Sequence, residues 1–128
     1  MKHFKKYPAL ALCGVLALTL LLVEAKCSKL EQNARDTAAA LNGAIVSAQA
    51  HYQTSCTANP SQTPCQTINR AVSGQNALIT AIDAYCGWSA NTPPANPNAP
   101  CVPVKGAEQS LNAAVLNANT LINQLKGL

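Results

Sequence analysis

Apolar and small residues recur three and four positions apart in three separate stretches of this chain. Leu30, Ala34, Ala38, Leu41, Ile45, Ala48 and Tyr52 share one face of the first. Ile68, Val72, Ile79, Ile82 and Cys86 share one face of the second, with Gln75 the one polar member of the series. Leu111, Val115, Ala118, Ile122 and Leu125 do so in the third. This is the period of a helix with one buried face. It predicts helices over about 29–55, 64–86 and 105–126.

Local signals set the ends. Ser28-Lys29-Leu30-Glu31 reads as a capping box, and Glu31 and Arg35 form a charge pair four apart in the favourable order. Thr63, Pro64 and Gln66 predict a second capping box. Asn59-Pro60 breaks the first helix, Gly87 suits the residue after the second, and Lys126-Gly127 suits the end of the third. Gly43 and Gly74 lie inside the first two helices, where each weakens helix propensity and leaves room for close helix approach. Residues 88–104 hold Pro93, Pro94, Pro97, Pro100 and Pro103 and cannot be helical, so they are read as an extended connector.

Three amphipathic helices in this order predict an all-α domain over residues 26–128. The expected arrangement is an up-down-up antiparallel three-helix bundle with a thin, alanine-rich core. If the first turn sets the register, residues whose numbers sum to roughly 121 face each other. That register places Asp83 near Arg35 and His51 near Arg70.

The N-terminal segment differs in kind. MKHFKKY is basic, PALALCGVLALTLLLV is apolar throughout, and Val23-Glu24-Ala25 offers a small-x-small cleavage site after Ala25. Residues 1–25 therefore read as an export signal. An uncleaved membrane anchor over residues 8–23 is the second reading, although that run is short of the ~20 residues that span a bilayer comfortably. A lipid on Cys27 is the third, with Lys26 an unfavourable residue before it, and Cys13 fits an apolar filler. The signal and the anchor both place the rest of the chain outside the cytoplasm, in a periplasmic or extracellular setting.

An exported chain oxidises its cysteines. Cys56 ends the first helix and Cys65 begins the second, so these two are expected to pair. Cys86 and Cys101 bracket the proline-rich connector and are expected to pair next. Cys27 would lie at the same end of such a bundle, so Cys27–Cys86 and Cys27–Cys101 remain open. The odd thiol left over points to a homodimer bridge, a lipid site or a spare thiol. The spacings hold no C-x2-C and no paired histidines, which sets a zinc site aside.

Charge narrows the function classes. The 128 residues are only 11% charged, and the formal net charge of +4 includes Lys2, Lys5 and Lys6 of the N-terminal segment. Beyond Ala25, six bases against four acids are spread along the chain without a basic face, which argues against nucleic-acid binding. His51 is the one histidine beyond that segment, and Asp36 and Asp83 lie on different helices. No nucleophile–base–orienter set or cofactor motif emerges, so no enzyme is expected.

The candidate contact surface is aromatic and proline-rich: Tyr85, Trp88, Pro93 and Pro94, facing an unidentified protein or glycan. The competing reading packs Trp88 under Pro93 and Pro94 to hold the connector down. Gln75, Asn76, Asn112, Asn117, Asn119 and Asn123 give the helices an amide-rich exterior able to bond to sugars or to another copy. The sequence thus points to an exported structural or interaction protein of the cell envelope or exterior. A carrier of a small apolar ligand between the helices and a membrane-anchored accessory subunit are the alternatives.

Overall fold

The computed structural model describes residues 28–128. The signal or anchor reading of residues 1–25, and the fates of Cys13 and Cys27, lie outside these residues. Three helices pack against one another: α1 (Lys29–Ala58), α2 (Thr63–Cys86) and α3 (Glu108–Lys126). Ser28, at the start of α1, meets Tyr85, at the end of α2. Tyr52, late in α1, donates to the carbonyl of Leu128, just past α3. So α2 runs against α1, and α3 runs alongside it. Among the described residues, no helix is long and apolar enough to cross a membrane.

The helix ends follow from local chemistry, with two departures from expectation. Ser28 Oγ accepts from Glu31 N–H at 3.0 Å, as a cap should, but the Glu31 carboxylate turns to Arg35 instead of closing the box. The box expected at Thr63 does not form. Thr63 is already helical, Gln62 takes the cap position, and Gln66 Nε2 donates to Ser61 O at 3.0 Å. The reason lies in the turn before it. Asn59 accepts from Ser61 N–H through its side chain and from Gln62 N–H through its carbonyl, which closes the chain early.

At the other end of α2, Gly87 adopts φ +67°, Trp88 N–H donates to Asp83 O, and Gly87 N–H to Ala84 O. These are the two bonds of a Schellman ending, and they require the left-handed residue that glycine supplies. The third helix starts at Glu108, three residues later than Lys105. Gly106, at φ +89°, cannot belong to a right-handed helix, and its N–H donates to Glu108 Oε2.

The core differs most from expectation in α2. Val72 and Ile79 were expected to face inward, and Val72 does pack at the core's edge. Ile79, however, is 44% exposed, and Ala71, Gly74, Leu78 and Tyr85 are buried beside Ile68 and Ile82. A helix touching two neighbours buries a broader face than one stripe, and its closest approaches select for small residues. Gly74 is such an approach: a Cβ there would stand 2.1 Å from Leu121 Cδ1. The α1 and α3 stripes lie largely where expected. Leu41 and Leu111 are fully buried, while Leu30, Ala38 and Tyr52 sit at the core's edge.

The two mid-helix glycines should therefore respond in opposite directions. Gly43 has nothing within 4 Å of an added Cβ, so Gly43→Ala should raise stability by roughly 0.5–1 kcal/mol through helix propensity. Gly74→Ala must displace Leu121 and should lower it by about 1–3 kcal/mol. Urea unfolding of the two variants checks the pair. A stabilised Gly74→Ala would mean that Leu121 swings aside without loss.

Candidate functional site

The connector after α2 is held onto the bundle, and Glu31 is at the centre of what holds it. One turn into α1, this side chain faces inward and is only 3% exposed. Its Oε1 accepts from Arg35 Nη2 at 2.8 Å and Arg35 Nε at 3.0 Å. Both carboxylate oxygens also face the backbone N–H of Cys101, at 3.3 and 3.4 Å. A buried carboxylate needs this company: taking it out of water unpaired would cost several kcal/mol.

Arg35 extends the grip. Its Nη1 donates to Pro97 O and its Nη2 to Ala99 O, while the guanidinium carbon lies 5.3 Å from the centroid of the Trp88 ring. One arginine therefore joins a buried acid, two connector carbonyls and an aromatic face. Its planar five-donor fork permits this, and a lysine ammonium would not.

Two further ties complete the arrangement. Cys86 and Cys101 form a disulfide with Cα atoms 5.3 Å apart, closing the loop at its base. Val104 N–H donates to Tyr85 O at 2.7 Å. Within the loop, Ser89 and Thr92 bond to each other through backbone and hydroxyls, and Asn96 turns the chain toward Ala99. At the opposite end of the bundle Cys56 and Cys65 form the second disulfide, with Cα atoms 5.6 Å apart. Two intramolecular disulfides suggest an oxidising, exported environment.

The expected contact residues separate. Tyr85 is 2% exposed, and its hydroxyl pairs with Ser28 Oγ at 2.7 Å, so it is a core residue and no part of a surface. It lies inside because α2 meets the start of α1 there, a contact the α2 stripe did not disclose. Trp88 is half-buried against the core, and the group over its ring is Arg35. Pro93 is exposed and Pro94 half-buried. The exposed apolar side chains of the connector are Val102, at 63%, and Val104, neither of which stood out in the sequence.

The expected Asp83–Arg35 ion pair does not form. Arg35 pairs with Glu31, and Asp83 is not its partner. His51 is exposed, stacks edge-on against Tyr52 at 4.7 Å and borders a shallow cleft with Leu125 and Lys126. Arg70 instead borders the α2–α3 groove with Asn117 and Gln124. Both residues thus border clefts shared with α3, which a register drawn from α1 and α2 leaves out.

Open clefts flank the helices. One of about 540 Å3 lies over the first turn, lined by Gln49, Tyr52, Gln53, Ile68 and Asn69 among others. Its walls mix amides with apolar atoms, whereas a site for an apolar ligand is mostly hydrophobic. Among the described residues, Glu31, Cys86 and Cys101 are the one group of three metal-ligand side chains that lie together, and here the two sulfurs are bonded to each other. No protein-family model, curated protein or solved structure matches this chain.

Proposed function

We propose that this chain is an exported, non-catalytic interaction protein of the cell envelope or exterior. Its bundle presents the connector, residues 88–104, to a protein partner. The observation that supports this most is a contrast within one loop. The connector is tied down by a disulfide, a buried carboxylate, an arginine and a backbone bond, yet it leaves Pro93, Val102 and Val104 exposed. Fixing a loop in advance reduces the ordering entropy that binding would otherwise cost. A loop serving only to join two helices needs no such restraint.

A protein partner suits this surface better than a glycan. Sugar sites commonly stack a ring on an exposed aromatic face, but Tyr85 is buried and Arg35 lies over the Trp88 ring. Exposed prolines and valines on extended backbone suit a protein groove. The non-catalytic reading draws on scatter: the cleft that His51 borders is lined by neither Asp36 nor Asp83. The amide-lined, open clefts likewise favour a presenting surface over an apolar-ligand carrier. Export rests on the basic, apolar and small-x-small order of residues 1–25.

The test places a photo-crosslinking amino acid at Val102 and, as a remote exposed control, at Val46 of α1, in the full chain within its native host. A discrete protein adduct from position 102 alone is expected. No adduct from 102, or the same adducts from both positions, would overturn the proposal. Trp88→Ala should lower stability by about 2–3 kcal/mol, because Trp88 packs on the core, and thermal unfolding measures it. An unchanged melting temperature would show that Trp88 anchors nothing.

A further inference from the structure

We propose that, when Cys86 and Cys101 are thiols, they and Glu31 form a buried site for a zinc-type divalent cation. One donor atom from each of the three residues lies within 4.8 Å of the others, and all three residues are buried. Donors around a single zinc ion stand about 3.3–3.8 Å apart, given the usual zinc–sulfur and zinc–oxygen distances. Thiols released from the disulfide reach that spacing by rotating about their Cα–Cβ bonds. A water molecule would fill the fourth position.

Two details favour a cation here. Glu31 Oε1 accepts from both Arg35 nitrogens, but the one bond to Oε2 is from Cys101 N–H at 3.4 Å. Oε2 thus keeps a lone pair for a metal while Arg35 orients the carboxylate from the other oxygen, as groups behind metal ligands commonly do. The charges also balance: two thiolates, a carboxylate, a divalent cation and Arg35 sum to zero around three buried residues. The disulfide state offers no such site, since its sulfurs are neutral and bonded to each other.

The chemistry closes with a dithiol as the reductant. Its two thiols become a disulfide, the Cys86–Cys101 bond breaks, and each sulfur gains a hydrogen. Cation binding then expels two protons and forms two metal–sulfur bonds and one metal–oxygen bond. Metal and disulfide exclude each other, so a bound cation would hold the connector's base in place while shielding both sulfurs from oxidation.

The full chain, reduced with a phosphine, is titrated with Co2+. Thiolate-to-cobalt charge-transfer and tetrahedral visible bands are expected at one ion per chain. Affinity should fall at least about tenfold in Glu31→Gln and in Cys101→Ser, and remain unchanged in Cys56→Ser. Should the reduced chain lose its fold, the readout is circular dichroism: Co2+ should restore helix in the wild type and fail to do so in Glu31→Gln. Zn2+ should also slow re-formation of the Cys86–Cys101 bond by glutathione disulfide at least about tenfold. Absent bands, or bands that depend on Cys56 and not on Glu31, would overturn the site.

Discussion

Glu31→Ala should lower the stability of the oxidised chain by about 3 kcal/mol. The variant removes the partner of Arg35 and the acceptor of the buried Cys101 N–H in one step. Arg35 is 26% exposed and regains some hydration, so the loss belongs at the low end of the range for broken buried pairs. For a domain of this size the melting temperature should fall by at least about 12 °C. Glu31→Gln keeps an acceptor for Cys101 and should lose roughly half as much. A loss under about 0.5 kcal/mol in Glu31→Ala would mean that Pro97 O and Ala99 O already satisfy Arg35 by themselves.

The second large effect is expected at the base of the same loop. Cys86→Ser with Cys101→Ser opens a loop of sequence separation 15 and should cost about 3 kcal/mol, chiefly by freeing the unfolded chain. Cys56→Ser with Cys65→Ser opens a separation of 9 and should cost slightly less, about 2.5 kcal/mol. The pairs differ more in where the loosening appears. Loss of Cys86–Cys101 should speed amide exchange at Val104, whose N–H is bonded to Tyr85 O. Loss of Cys56–Cys65 should leave it unchanged.

Combining Glu31→Ala with the Cys86 and Cys101 substitutions should cost less than the two losses added together. Both secure Cys101, so once one is gone the other restrains a segment that is already loose. Simple additivity in urea unfolding would show that the carboxylate and the disulfide act on separate parts of the fold.

Much of this arrangement was legible in the chain. Leu41, Ile45, Leu111, Val115 and Leu125 announced their faces because each repeats at helical spacing among polar neighbours. The Glu31–Arg35 pair was visible as a spacing, and Gly87 as a terminator. What did not show was the burial of Glu31. An acid in the first turn of a helix ordinarily faces solvent beside its cap, and it faces inward here because the connector returns across it.

Tyr85 was misread for a related reason. A tyrosine three residues before a tryptophan at a helix end resembles an exposed aromatic pair until Ser28 arrives from 57 positions away to bond its hydroxyl. In α2, Ile79 looked more like core than Gly74, since size and hydrophobicity are read residue by residue. Whether a position needs bulk or its absence depends on how closely another helix passes, and Leu121 settled that for Gly74.

The order of residues already implied the helices, their breaks, the extended connector and the closeness of Cys56 to Cys65 across a short turn. These depend on periodicity, caps and prolines acting over a few residues. The tertiary structure alone decided that Glu31 and Arg35 hold the connector, that Tyr85 lies inside, and that Val102 and Val104 remain outside. Those outcomes depend on which distant segments meet, and a carboxylate has no preferred partner until packing removes water and leaves it one guanidinium and one backbone N–H.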